Sequence, residues 1–220
     1  VSNVSHELKT PLTSMKVLAD SLVGQEGVPE ELYQEFMQDI TEEIERENKI
    51  INDLLSLVKM DKTEGSMDIS AVDINELLET TLKRLRPIAR KRDIEVVLES
   101  LRPVTAEVDE VKMSQIFTNL VENAIKYNRT DGTVTVSAGR EKNEAVLTVS
   151  DTGNGIDEAF REKIFEPFFR VDKSRSRELG GVGLGLAMVR EVVRVHDGTI
   201  EVYTNKHSGT TFEVKMSIGA

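Results

Sequence analysis

The 220-residue chain has no cysteine and no tryptophan, and aromatic residues make up only 5% of it. Without cysteine there can be no disulfide, no thiolate zinc site and no thiol nucleophile, a composition suited to a reducing compartment. No run approaches the roughly 18 apolar residues that a membrane-spanning helix needs, and no signal peptide is visible. Positive charge is in deficit: 28 Lys and Arg stand against 39 Asp and Glu, for a net charge of −11. A nucleic-acid surface needs basic residues to neutralise phosphates, so that class of partner is not expected. The apolar share of 39% suits one large globular domain or two modest ones. The chain opens on Val1 and is expected to be part of a longer protein.

What is present divides into two regions. In residues 1–60 the apolar positions Val4, Leu8, Leu12, Met15, Leu18 and Leu22 recur at three- and four-residue steps, one stripe of a helix. Gly24 to Gly27 interrupt it. Pro29 suits a first helical turn, with Glu30 and Glu31 at the positive end of the helix dipole. Phe36, Ile40, Ile44, Ile51, Leu54 and Val58 then carry a second stripe. Two helices with one apolar seam each bury little alone, whereas two such hairpins make a four-helix bundle, so a homodimer is expected. Residues 61–72 are polar with a glycine and are expected to be a linker. In residues 73–220, helical periodicity covers 74–92, 110–127 and 183–195, with a short helix near 157–165. Strand alternation covers 94–98, 104–108, 133–139, 144–150, 198–204 and 210–217. The expected fold is α+β: a two-helix hairpin forming a dimeric four-helix bundle, then an α/β sandwich with a mixed sheet.

Four segments carry chemistry. The first is Ser5-His6-Glu7-Leu8-Lys9-Thr10-Pro11. A histidine on a helix is ordinarily a surface or packed imidazole. Here Thr10 shares its face four residues on, and helical side chains lean toward the N-terminus, over the imidazole. Pro11 cannot donate to the Glu7 carbonyl, so the helix is expected to bend beside His6. Neutral imidazole is a nucleophile near neutral pH, and a neighbouring carboxylate, with Glu7 the candidate, can fix its tautomer.

The second segment, Asn119 to Tyr127, collects Phe117, Leu120, Val121 and Ala124 on one helical face and Asn119, Asn123, Lys126 and Tyr127 on another. A solvated face would more usually carry Glu and Lys. Amide oxygens suit Mg²⁺, which takes few protein ligands. The third, Glu144 to Gly155, puts Asp151 in register with Leu147 and Val149, where a carboxylate is costly unless a donor meets it. The exocyclic amine of adenine is such a donor; a plain Asp-Gly turn is the alternative. Gly153 and Gly155 permit close backbone approach in either case. The fourth, Gly180-Gly181-Val182-Gly183-Leu184-Gly185-Leu186, opens a helix, where backbone N–H groups bind anions. It is neither a Walker A loop nor a G-x-G-x-x-G turn.

His6 to Pro11 resembles the H-box of sensor histidine kinases, in the class with a two-helix dimerisation and phosphoacceptor domain. The other three segments resemble the N, G1 and G2 boxes of the ATPase fold shared by histidine kinases and gyrase. Ile164 to Arg170 looks like the F-box, and Gly209-Thr210-Thr211-Phe212 like the last glycine box. The resemblance spans nearly the whole chain in order. It implies that His6 accepts the γ-phosphoryl group of ATP, with Glu7 as its base or orienting partner, and passes it to an aspartate of a response-regulator receiver domain. Thr10 would position water for dephosphorylating that partner. Asn123 would hold Mg²⁺ with Asn119 assisting, Asp151 would recognise adenine, and Tyr127 would border the nucleotide. Lys126 and Arg170 would meet phosphates, under cover of Gly181, Gly183, Leu184 and Gly185, while Thr211 belongs to the last box. The irregular stretch 152–182, basic at Lys173, Arg175 and Arg177, stands where the family has its ATP lid.

The domains expected on this reading are 1–60 for dimerisation and phosphoacceptance, 61–72 for the linker and 73–220 for ATP binding. Only five residues precede His6, fewer than in the family, so the input side of the sensor and part of the dimer seam are expected to lie elsewhere. The expected location is the cytoplasm, with no membrane contact by this part. A nucleotide-binding scaffold without catalysis is disfavoured by the intact boxes. A gyrase-type hydrolase would need an acid where Asn119 stands.

Overall fold

The computed structural model describes residues 2–23, 27–62, 67–100, 102–171 and 182–218, with side chains described from Pro11 onward except at 59–62. It divides into two compact units, Val1–Val58 and Lys59–Ala220.

The first unit holds α1 (Ser2–Leu22) and all but the last four residues of α2 (Glu30–Lys62). Glu30 and Glu31 occupy the first turn of α2, where the helix dipole favours negative charge. Pro11 lies inside α1 and is buried, at the position where its missing N–H deprives the Glu7 carbonyl of a partner. Along α2, Met37, Ile44, Ile51 and Val58 follow one another at seven-residue steps and remain exposed. A seven-residue apolar repeat is the pattern of a helix face that packs against another helix. Glu47 on the same helix is buried, and Oε2 has no partner among the described residues. Burial first, then the charge of Glu43, pushes its carboxyl above the ordinary value, against the pull of Arg46. Among the described residues, no helix is long and apolar enough to cross a membrane.

In the second unit, β1 (Ile69–Asp73) leads into α3 (Ile74–Arg90), followed by β2 (Glu95–Glu99) and β3 (Thr105–Asp109). Then come α4 (Glu110–Lys126), β4 (Thr133–Glu141), β5 (Glu144–Asp151), α5 (Gly185–Val195), β6 (Thr199–Thr204) and β7 (Thr210–Ser217). Both α3 and α4 follow directly on a strand that ends in Asp. Asp73 Oδ1 accepts from the Asn75 and Glu76 N–H groups, and Asp109 Oδ1 from the Lys112 N–H, so each aspartate caps the helix it starts. Asp109 Oδ2 also takes the Lys112 ammonium at 2.7 Å. Burial pushes the Asp109 carboxyl up, but Lys112 and the Asp68 N–H outweigh it, and the group lies below its ordinary value.

The main sheet has the order β2-β4-β5-β7-β6, with β2 and β4 parallel and the other neighbours antiparallel, so it is mixed as expected. α4 packs between α3 and α5 and against β4 and β5; α3 lies on β2 and α5 on β6. One layer of helices therefore covers the sheet. The core between them is made by Leu78, Leu82, Ile116, Phe117, Val121, Val136, Leu147, Val189, Val192 and Val214.

Four expectations are corrected. Of the linker expected at 61–72, α2 continues through Lys62 and residues 69–72 belong to β1; residues 63–66 lie outside the described ones. Only Val72 of β1 is buried, so the strand carries little alternation. Its state comes from pairing with β3, from Ile69↔Asp109 to Asp73↔Thr105. That pairing also takes the strand expected at 104–108 into a separate two-stranded sheet. The single short helix expected near 157–165 is two 3₁₀ turns, Glu158–Phe160 and Lys163–Phe165. α5 begins at Gly185 rather than 183, because Gly183 has φ 84°, which no α-helix accommodates.

Candidate nucleotide site

Asp151 is the last residue of β5 and is only 7% exposed. Its Oδ1 accepts two backbone N–H bonds, from Gly153 at 2.8 Å and from Thr210 at 3.1 Å. Oδ2 takes none from the described residues. Burial pushes this carboxyl above its ordinary value, and the two N–H groups pull the other way. One oxygen is thus saturated by the fold and the other is left for an incoming donor.

The geometry around Asp151 comes from close backbone packing on both sides. A Cβ at Gly153 would run into the Tyr127 carbonyl oxygen, and one at Gly209 into the carbonyl oxygen of Asp151 itself. The loop after β5 and the β6–β7 turn can lie this close only because both positions lack side chains. Gly155, at φ 71°, passes the Ser208 carbonyl in the same way. Buried Thr211 joins the network through its hydroxyl, 2.8 Å from that of Ser150. On the other side, the Thr152 hydroxyl accepts from the Thr133 N–H at 2.9 Å and donates to Asn128 Oδ1 at 3.1 Å, which ties β5 to the end of α4.

That end of α4 carries the polar row. Asn119, Asn123 and Lys126 are half-buried and Tyr127 is exposed. The Lys126 ammonium lies 5.3 Å from the centre of the Tyr127 ring. Neither Asn side chain bonds to a described residue. A Cβ at Gly185 would sit 3.1 Å from Asn119 Oδ1, so the start of α5 reaches the same row. Leu184, almost fully buried, precedes α5 without supplying a side-chain cap, and no described side chain meets the first-turn N–H groups, which suit an anion. Gly183 accepts the Phe168 N–H on its carbonyl at 2.9 Å, which joins the turn before half-buried Arg170 to the start of α5.

The sequence-expected residues on α4, β5, β7 and α5 thus gather along one end of the second unit. Gly181 and the basic residues Lys173, Arg175 and Arg177 lie outside the described residues. His6, Glu7 and Thr10 lie in α1, in the other unit, and their side chains are outside those described. The sequence reading missed Asn205, Ser150, Thr210, Asn128 and Thr152, the polar frame around Asp151. Asn205 in Asn-Lys-His-Ser-Gly had a usable signal, since Asn before Gly between two strands marks a turn. His196, in contrast, is fully used by the fold: Nε2 accepts from the Asp109 N–H at 3.1 Å, and Nδ1 lies 2.8 Å from the Val192 carbonyl.

A helix-covered mixed sheet with a half-satisfied buried aspartate, Asn side chains that bond to no described residue and a helix N-terminus that no described side chain caps is an arrangement suited to a nucleotide. Residues 108–219 match the family described as "Histidine kinase-, DNA gyrase B-, and HSP90-like ATPase", and residues 1–63 match "His Kinase A (phospho-acceptor) domain". The chain belongs to the sensor histidine kinases, as their phosphoacceptor and ATP-binding core. It is 36% identical over 222 residues to sensor protein kinase WalK of Staphylococcus aureus, covering 98% of this chain and 52% of that one. The chain therefore spans about half the length of that relative. A mycobacterial sensor histidine kinase, MprB, is 30% identical with TM-score 0.59, over 68% of this chain and 97% of that one. Histidine kinase AdeS of Acinetobacter baumannii shares the fold along 98% of both chains, with TM-score 0.78 at 24% identity. Full-length ShkA, solved in complex with AMPPNP, is 25% identical with TM-score 0.74, over 100% of this chain and 46% of that one.

Proposed function

We propose that the chain binds Mg-ATP beside Asp151 and transfers the γ-phosphoryl group to His6. From there it passes to an aspartate on a response-regulator receiver domain. The observation that carries the nucleotide half is the Asp151 carboxylate, with Oδ1 saturated by Gly153 and Thr210 and Oδ2 turned to no described donor. A buried anion so arranged selects a ligand that brings its own N–H, as adenine's amine does. The acceptor half rests on the phosphoacceptor match, which includes His6.

The amides of Asn119 and Asn123, which bond to no described residue, fit Mg²⁺ chemically. Asn123 would hold the ion and Asn119 would assist, and Mg²⁺ when bound offsets charge on the phosphates. Lys126 and Arg170 bring positive charge to phosphate oxygens, with the first-turn N–H groups of α5 at Gly185 and the backbone at Gly183 against them. Tyr127 borders the base. Glu7 holds the His6 imidazole in the tautomer whose free nitrogen attacks in line, and its carboxylate offsets the positive charge that develops on the ring as the bond to the β-phosphate breaks and ADP leaves. Thr10 orients water when the phosphorylated partner is dephosphorylated. On this reading residues 1–60 form the dimerisation and phosphoacceptor domain and residues 73–220 the ATP-binding domain, working in the cytoplasm. The exposed seven-residue repeat of α2 is the surface on which two copies form a homodimer.

The test is incubation with γ-labelled ATP and Mg²⁺. The parent protein should acquire label that is acid-labile and alkali-stable, as a phosphoramidate is. His6→Ala should acquire none while still binding nucleotide. A mutant that is labelled as well as its parent sinks the assignment.

A further inference from the structure

We infer that Asn205 is the positioning residue of the nucleotide site, acting through the β6–β7 turn to present the Asp151 carboxylate to the base. This rests on the proposed adenine-reading role of Asp151.

Asn205 is the first residue after β6 and is half-buried. Its Nδ2 donates to the Asp151 carbonyl at 2.7 Å and to the Ser150 hydroxyl at 2.9 Å, so it grips the end of β5 by main chain and side chain. Its Oδ1 accepts from the His207 N–H at 2.9 Å and the Gly209 N–H at 3.2 Å, which closes the turn onto the same amide. One side chain therefore spans two segments more than fifty residues apart in sequence. An amide suits this work because it offers two donors and an acceptor with two lone pairs in one rigid plane.

The consequence falls on the next residue. Thr210 follows Gly209 directly, and its N–H is one of the two donors on Asp151 Oδ1. Holding the Gly209 N–H therefore fixes where the Thr210 N–H points. With Gly153 as the other donor, Oδ1 is pinned, and Oδ2 is the oxygen that takes no hydrogen bond from a described residue. If the turn drifts, Oδ1 keeps one donor and the carboxylate can rotate about χ2. The loss also removes one of the two bonds that oppose the effect of burial on this carboxyl, so it takes up a proton at higher pH.

The experiment compares ATP with inosine triphosphate, which presents a carbonyl oxygen where adenine has its amine. Titration calorimetry gives the affinity of the whole chain for each nucleotide across pH. The parent should prefer ATP, and Asp151→Asn should abolish the preference. If either fails, the adenine reading of Asp151 falls, and the inference with it. Given both, Asn205→Ala should lose roughly ten-fold in ATP affinity, about one hydrogen bond to a charged group. It should also shrink the ATP-over-inosine preference and move the acid limb of ATP binding to higher pH. Asn205→Asp keeps the acceptor within the turn but loses the donor that ties the turn to the Asp151 carbonyl, so the whole turn is free to drift from the end of β5. It should show the same collapse of preference, and it carries the test if the alanine variant does not fold. A merely structural asparagine would lower the melting temperature or weaken both nucleotides equally. An unchanged preference and acid limb in the folded variant would overturn the inference.

Discussion

The Thr210 N–H donates to Asp151 Oδ1 at 3.1 Å although the two residues stand 59 positions apart. The strand register makes this possible: Ser150 on β5 pairs with Thr211 on β7, so Thr210 arrives level with the end of β5. The carboxylate proposed to read the base is thus held by a strand far along the chain from its own.

Asp151→Asn separates binding from stability. The amide oxygen can still accept from Gly153 and Thr210, but an NH₂ replaces the anionic oxygen. ATP affinity should fall by roughly 1.5–3 kcal/mol, the worth of a hydrogen bond to a charged group. Nucleotide-free stability should move the other way. The folded carboxyl lies above its ordinary value of 3.8, so the parent is favoured when protonated and loses that advantage as pH rises through the folded value. Urea titrations should show the variant gaining on its parent across that window and holding a constant lead above it. A lead that shrinks with rising pH would contradict the burial argument.

Asp109 works in the opposite sense. It caps α4, pairs with Lys112 and lies below its ordinary value of 3.8. Its contribution is present above that value and fades as pH falls through the lower folded value. Asp109→Ala should cost about 1–2 kcal/mol at neutral pH, typical for a lost N-cap. The gap from the parent should narrow in strong acid. Thermal melts at two pH values would measure it, and equal gaps at both would show that charge plays no part.

The α2 repeat should set the oligomeric state. Ile44→Lys and Ile51→Lys place charge on side chains 45% and 41% exposed within one chain. Each should cost the lone helix little, on the order of 0.5 kcal/mol as at other surface positions. Buried against a second copy, the same ammonium groups would be uncompensated. Sedimentation velocity should show a dimer for the parent and a monomer for the double variant. A variant that dimerises as tightly as its parent would place the interface elsewhere.

Much of this molecule is written in local sequence. The periodicities of α1, α2, α3 and α4 follow from apolar spacing, and Asp73 and Asp109 mark two helix starts by chemistry that acts within three residues. Most strands of the main sheet were legible because β4 and β6 alternate along their length and β5 and β7 over part of theirs, whereas β2 is half-buried throughout its middle. Asp151 stood out because a charge in apolar register demands an explanation within the strand itself. Tertiary structure decided the rest. β1 has a single buried residue and exists through its pairing with β3, a relation no local window contains. Asn205 looks like any turn asparagine until the register of β5 with β7, and of β7 with β6, brings the Asp151 carbonyl within 2.7 Å of its amide. Periodicity acts over a few residues and can be read along the chain. The orientation of one carboxylate is set by donors from strands far apart in sequence, which only the folded sheet brings together.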